Sequence, residues 1–124
     1  MIKKLTIISA LLLAACASQQ ITQSQLDEIK TPVICKDKAD CDAKWSKTQA
    51  WVVNNTRWKI KIATDTIIQT EGPFDQTDLA FTATKQINKD GSGEIGISAG
   101  CGNFFGCIPS PHEAVLKFKQ SLNN

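Results

Sequence analysis

The cysteines are the residues whose type and spacing could support disulfide, metal or redox chemistry. Four of the five lie in two C-x5-C pairs, Cys35 with Cys41 and Cys101 with Cys107. Thiolate zinc sites favour closer C-x2–4-C spacing, and redox-active pairs are usually C-x-x-C, so neither pair fits a metal or redox centre. We expect structural disulfides. Three connectivities are possible, and we favour the two local pairs because each short loop closes readily.

No catalytic set is recognisable among the other reactive residues. His112 is the only histidine, and no serine or cysteine nucleophile with an orienting acid can be placed beside it. The acidic residues cluster at 37–42 and 75–78. Glycoside hydrolysis would use such carboxylates, but no cleft-forming sequence surrounds them, and they are better interpreted as helix-start and loop acids. We therefore predict that the protein is not an enzyme.

The segment Asn88–Ile95 is similar to the first eight positions of an EF-hand calcium loop. The twelfth position, where a bidentate glutamate is required, is Ala99. The flanking residues also alternate at period two, which is typical of strands rather than helices. We predict a hairpin turn here, and no metal site or cofactor.

The aromatic residues divide into buried candidates and contact candidates. Trp45 and Trp58 lie on predicted apolar faces and are expected to pack in the core, whereas Trp51 is off the main helical stripe and is a candidate for stacking on a sugar. Phe104 and Phe105 are adjacent in a glycine-flanked loop between the second pair of cysteines. Either both rings cover the open end of the sheet, or the loop inserts into a groove of a partner.

The first sixteen residues have the pattern of an export signal. A basic start with Lys3 and Lys4 is followed by the apolar run Leu5–Ala15, which is too short to cross a bilayer as a helix. The run ends in Leu13-Ala14-Ala15-Cys16, which resembles the bacterial lipoprotein lipobox at every position. The alternative is an ordinary signal peptide, cut at these small residues, in which Cys16 is incidental.

The lipobox resemblance implies a lipid anchor. In that family the Cys16 sulfur would receive a diacylglycerol, the signal peptide of residues 1–15 would be removed, and the new amine would be acylated. Ala17 is not the aspartate that typically retains such proteins in the inner membrane. The resemblance thus implies the outer membrane, on its periplasmic face, where disulfides are permitted.

Length and charge limit the remaining possibilities. The chain of 124 residues is long enough for one domain, and 42% apolar with 21% charged residues excludes a disordered or multi-span chain. Its formal charge of +2 comes from Lys3 and Lys4, so the processed chain is neutral. Neutrality removes any argument for nucleic acid as a partner.

Two helices are predicted from their caps and periodicity. The first begins after Asp37, with a buried stripe at helical spacing, and stops at Asn54-Asn55. Its stripe consists of Cys41, Trp45, Thr48 and Val52. The second begins after Ser110, the N-cap, with Pro111 at the first helical position and Glu113 completing a capping box. Its apolar face consists of Val115, Phe118 and Leu122.

Three or four strands are predicted between the helices. Residues 58–62 alternate with a basic outer face, residues 65–70 continue that strand or form a second one, and residues 79–87 and 94–99 alternate again. The connections are too short for parallel crossovers. The predicted fold is therefore α+β, a two-layer sandwich of an N-terminal helix, a three- to four-stranded antiparallel sheet and a C-terminal helix.

We expect one domain over residues 34–124, joined to Cys16 by a flexible tether over residues 16–33. In an alternative, Gln23–Lys30 forms a short helix that packs on the domain.

The whole chain resembles the small lipoproteins of Gram-negative bacteria, a group from which no activity carries over. Our first hypothesis is a non-enzymatic lipid-anchored envelope protein that binds another envelope protein or supports an envelope assembly, with Phe104 and Phe105 as contact residues. The alternative is a periplasmic binder of a small ligand or cell-wall glycan that uses Trp51.

Overall fold

The computed structural model describes residues 20–123, which form an α+β fold as predicted. The elements, in chain order, are α1 (Gln23–Lys30), β1 (Val33–Cys35), α2 (Lys38–Asn55), β2 (Ile60–Ala63), β3 (Ile67–Thr70), β4 (Ala80–Ile87), β5 (Gly93–Gly100) and α3 (Pro111–Leu122). The signal peptide and Cys16 lie outside the described residues.

The described strands form one antiparallel sheet in the order β1-β5-β4-β3-β2. The β4–β5 hairpin is its centre and pairs from Ala80 opposite Gly100 to Ile87 opposite Gly93. Residues 65–70 thus contribute a separate strand, β3, rather than an extension of β2. The strand β1 was not predicted, because three residues are too few to show a periodicity.

Both edges of the sheet are short. At one edge, β1 pairs with β5 through three residues. At the other, β2 has four residues, and its register against β3 shifts between Ile60 and Ile62. The strand begins at Ile60, so Trp58, where the predicted alternation starts, precedes the strand and is not part of it.

The core lies between the sheet and the helices α2 and α3. The predicted α2 stripe of Cys41, Trp45, Thr48 and Val52 is buried. On α3, the predicted face of Val115, Phe118 and Leu122 is buried together with Ala114 and Lys119. These residues meet a buried set on the sheet that consists of Ile68, Leu79, Phe81, Ala83 and Ile95.

The α2 helix begins and ends where predicted, but the conformation at its end differs from the expectation. The Asp37 carboxylate accepts the Asp40 N–H at 2.8 Å, which caps the helix. At the other end, Thr56 is extended and its N–H donates to the Val52 carbonyl oxygen. Asparagine is favoured at helix ends because it tolerates the left-handed conformation, but no described residue other than glycine has a positive φ, so this part of the expectation is wrong. Instead, the Asn55 side chain donates to the Trp51 carbonyl oxygen.

The α3 helix has half of the predicted capping box. The Ser110 hydroxyl accepts the Glu113 N–H at 3.2 Å, and Pro111 occupies the first turn. The Glu113 carboxylate lies 3.1 Å from the Lys117 ammonium one turn later, and this ion pair occupies the group that would have completed the box.

Helix α1 lies within the segment expected to be a flexible tether, as in the alternative. Thr22 and Gln25 form a reciprocal capping box, which provides the local signal for this helix. The helix has no buried residue of its own, but it packs on α3. There the Lys119 ammonium donates to the carbonyl oxygens of Glu28 and Thr31. This contact attaches the start of the described chain to the core.

Candidate contact surface

Both predicted disulfides are present in the structure. Cys35 pairs with Cys41 and Cys101 with Cys107, at Cα–Cα distances of 5.0 and 5.8 Å. The first bridge is fully buried and joins β1 to the first turn of α2. The second closes a loop that follows β5, and this loop carries the most exposed aromatic residues of the described chain.

We define residues 101–108 as the Phe loop. Phe104 and Phe105 are 93% and 94% exposed, and their rings meet edge to face with centroids 5.4 Å apart. Ile108, directly after the bridge, is 73% exposed. Of the two alternatives for Phe104 and Phe105, covering the sheet end is therefore wrong, and the rings project into solvent.

Hydrogen bonds hold the tip of the Phe loop in shape. The Asn103 side-chain oxygen accepts the Phe105 N–H at 2.9 Å, and the Asn103 carbonyl oxygen accepts the Gly106 N–H at 3.2 Å. Gly106 has a φ of +114°, a conformation that favours glycine. The tip is thus a tight turn that presents two adjacent rings.

The base of the Phe loop is fixed to the neighbouring segment 72–78. The Gly102 N–H donates to the Phe74 carbonyl oxygen at 2.8 Å, and the Ile108 N–H donates to the Thr77 carbonyl oxygen at 3.0 Å. A Cβ at position 102 would lie 2.6 Å from that Phe74 oxygen, so the close approach requires glycine. The two exposed rings are therefore carried on a loop that is anchored on both sides.

Charged groups are absent from the sequence around the Phe loop. No Asp, Glu, Lys or Arg occurs between Glu94 and Glu113. In the adjoining segment, Phe74 is partly exposed and its ring packs against Trp58 at 4.7 Å between centroids. The loop is therefore an apolar projection, which is the kind of surface that marks an interaction site.

The three tryptophans have structural roles. Trp45 is buried as predicted, and its indole N–H donates to the Thr64 carbonyl oxygen. Trp51 is half-buried and meets the rings of Phe81 and Phe118 edge to face at 5.3 and 5.4 Å. An indole held in this way is not an open platform for a sugar.

Trp58 differs from the expectation that it packs in the core. It is half-buried against Phe74, and its indole N–H donates to the Asp78 carbonyl oxygen at 3.3 Å. The strand β2 begins only at Ile60, so Trp58 lies before the sheet and is not among the residues packed in the core. It instead supports the segment on which the Phe loop rests.

The segment that is similar to a calcium loop forms the turn of the β4–β5 hairpin, as predicted. The Asn88 N–H donates to the Ser92 carbonyl oxygen at 2.7 Å. The Asp90 carboxylate accepts the hydroxyl and N–H of Ser92, and these hydrogen bonds lower the pKa of Asp90. Within residues 20–123, no group of three or more His, Cys, Asp or Glu side chains is arranged to hold a metal ion.

The clustered acids at 37–42 serve the start of α2. The Asp40 carboxylate accepts the Lys36 N–H at 2.9 Å and the Lys44 ammonium at 3.0 Å, and these contacts lower the pKa of Asp40. Asp42 pairs with Lys38, which lowers the pKa of the Asp42 carboxyl. The carboxyl groups thus have partners typical of a helix N-terminus.

The acids of the 72–78 segment and His112 are also at the surface. Asp75 is exposed, and Asp78 lies 3.5 Å from the Arg57 guanidinium. His112 is exposed in the first turn of α3. In the described part of the chain, the His112 side chain forms no hydrogen bond or ion pair with these acids or with a nucleophile.

A cleft at the hairpin end of the sheet was not predicted from the sequence. It lies between α2 and the β4–β5 turn, and Lys85, Trp45 and Asp42 contribute to its wall. The Lys85 ammonium lies 5.7 Å from the centre of the Trp45 ring and 3.6 Å from the Asp42 carboxylate. Lys85 lies two residues after Ala83 in the same alternation as Phe81, so the sequence already placed it on the face of the sheet that the helices cover.

Among the described helices, none has both the length and the apolar character needed to cross a membrane. No family model, curated protein sequence or solved structure matches the chain.

Proposed function

We propose that this chain is a lipid-anchored, non-enzymatic protein of the bacterial cell envelope that acts by docking on an apolar surface through the Phe loop. The observation that supports this most strongly is the nearly complete exposure of Phe104 and Phe105 at the tip of a disulfide-closed loop. The anchor rests on the lipobox that ends at Cys16. The expected site is the periplasmic face of the outer membrane.

The energetics of the Phe loop favour a docking role. Full burial of one phenylalanine side chain contributes about 1.5–3 kcal/mol, which both rings forgo in the free protein. The bridge and the hydrogen bonds of Asn103 already order the loop. Little conformational entropy therefore remains to be lost when the rings are buried.

A glycan-binding role has less support. It requires an aromatic ring with an open face beside polar groups, and Trp51 was the candidate for it. Phe81 and Phe118 contact that ring instead. The docking role also accords with the envelope-protein or assembly partner expected from the sequence, since either would offer an apolar surface.

The anchor is tested by metabolic labelling with a fatty-acid analogue. We expect Cys16→Ser to abolish labelling and to leave the unprocessed precursor, while Ser18→Ala, two residues away, keeps both. Continued labelling of Cys16→Ser would refute the anchor.

The docking role is tested by a photoreactive benzoylphenylalanine in place of Phe105 in intact cells. We expect crosslinks from this position and none from the same group in place of Ile87, which is exposed at the opposite end of the β4–β5 hairpin. Equal yields at the two positions would contradict a specific role for the loop.

A further inference from the structure

We infer that the Phe loop inserts into the lipid bilayer beside the anchored Cys16, so that the domain lies on the membrane at a fixed orientation. This inference rests on the proposed lipid anchor and names the apolar surface that the loop contacts.

The described chain begins close to the Phe loop. Gln20 and Ser110 line the same surface groove, which follows the start of α1 and runs along α3 as far as Gln120. Ser110 is only two residues beyond Ile108, the last residue of the Phe loop. The structure therefore places the start of the domain and the apolar projection at the same end of the molecule.

The distance from Cys16 to this groove is limited by covalent geometry. Cys16 is four residues before Gln20, so the two Cα atoms are at most about 14 Å apart. A lipid on Cys16 thus keeps the groove, and the loop next to it, within reach of the bilayer. The short connection gives the loop a high effective concentration at the membrane surface without any further partner.

The charges around the loop are suited to insertion. Charged groups are costly in the hydrocarbon region, and residues 95–111 carry none. Charged groups lie at the base of the loop: the backbone N–H of Asp75 is close to Gly102, and the Glu113–Lys117 ion pair is on α3, which begins soon after the loop. These groups would remain in the headgroup region, and Asp75 gives no attraction to anionic lipid. We therefore expect insertion without any requirement for anionic lipid.

Four backbone N–H groups of the loop already have hydrogen-bond partners within the protein. Unpaired N–H groups are costly where water is absent, and those of Gly102, Phe105, Gly106 and Ile108 already donate within the protein. Insertion of the two rings to the acyl boundary, about 5–10 Å deep, does not require these bonds to break.

The same features distinguish a bilayer from a protein groove. A protein groove is selected by directional polar contacts around an apolar anchor. The Asn103 side chain, which lies next to the rings, is used inside the loop. The tip thus offers apolar area without a charged side chain. Contact with lipid acyl chains requires apolar area and no directional polar side chain.

The test measures the depth of position 105 in the full-length lipidated protein, reconstituted in phosphatidylethanolamine and phosphatidylglycerol vesicles. Phe105→Trp adds an indole at a nearly fully exposed site, so folding is not at risk. Ile87→Trp is the matched control at the far end of the hairpin. The emission of the wild-type protein, with its three tryptophans, is subtracted from both.

We expect the indole added at position 105 to shift to shorter wavelength and to lose most of its emission when the lipids carry brominated acyl chains. The indole added at position 87 should respond to aqueous iodide and not to bromine. Lowering the phosphatidylglycerol fraction should leave the quenching at position 105 unchanged.

Two outcomes would overturn the inference. If iodide and not bromine quenches the emission from position 105 in protein that carries its lipid, insertion is wrong while the anchor stands. If benzoylphenylalanine at position 105 yields an adduct with one envelope protein and none with lipid, the loop docks on a protein. Failure of lipid labelling at Cys16 is read out separately and would instead refute the proposed function.

Discussion

The attachment of α1 to α3 through Lys119 gives the prediction that the structure defines most sharply. Lys119 is on α3 and largely buried, and its ammonium donates to the carbonyl oxygens of Glu28 and Thr31 at the C-terminal end of α1. The last carbonyl groups of a helix lack partners within the helix, and a cation near them is favourable. Because α1 has eight residues and none is buried, we expect it to depend on this contact.

The magnitude follows from the two hydrogen bonds and the cost of burial. Hydrogen bonds to a charged group contribute about 1.5–3 kcal/mol each. Burial opposes this, as shown by the lowered pKa of Lys119, for which desolvation is the main cause. We therefore expect Lys119→Ala to release α1 at a net cost of about 2 kcal/mol, which corresponds to about 30-fold faster amide exchange in this helix.

Hydrogen–deuterium exchange followed by mass spectrometry measures this directly. We expect faster exchange across Gln23–Lys30 in Lys119→Ala, while the amides of β4 and β5 stay protected. Lys117→Ala is the matched control on the same helix, because its ion pair with Glu113 is exposed and contributes little. Unchanged exchange of α1 in Lys119→Ala would refute the reasoning.

Three further predictions concern stability. Cys101→Ser/Cys107→Ser opens a seven-residue loop and should lower the free energy of unfolding by about 2.4 kcal/mol on the chain-entropy model, measured by urea denaturation; no loss would show that hydrogen bonds alone order the Phe loop. Phe118→Ala should cost about 3–5 kcal/mol, because the side chain is fully buried between α3 and the sheet, and Phe118→Leu should cost less in the same assay. Asp40 has a pKa below its ordinary 3.8, chiefly because its carboxylate accepts the Lys36 N–H, so the stability it contributes is present above pH 3.8 and is lost as the pH falls through the lowered pKa. Acid denaturation followed by circular dichroism should show that the stability difference between wild type and Asp40→Asn shrinks below pH 4, and a constant difference would contradict this assignment.

The parts of the fold with long, regular patterns were predictable from the sequence. The stripe from Cys41 to Val52 extends over several helical turns, and Leu79, Phe81 and Ala83 alternate at period two, so their burial follows from the period alone. The Cys35–Cys41 and Cys101–Cys107 bridges were also predictable, because each joins residues six positions apart.

The parts decided by tertiary contact were not predictable in the same way. The strand β1 is too short to show a period, and it is defined by its pairing with β5. Helix α1 shows a capping box, but its apolar residues are few, and Lys119 holds it from 88 positions away or more. The exposure of Phe104 and Phe105 was left open by sequence because a glycine-flanked loop permits either direction of the rings.

The short edges of the sheet bear on how closely copies of this protein can crowd together. A free strand edge is a template for pairing with another chain, and the usual protections are short length, irregular register and charge. The edge strand β2 has all three. It has only four residues, its register against β3 shifts, and Lys59 and Lys61 add charge to this edge. The other edge offers only the three residues of β1, pinned to α2 by the Cys35–Cys41 bridge. A protein anchored to a membrane as proposed would meet other copies far more often than in bulk solution, and these edges leave little opportunity for the sheets of two copies to join.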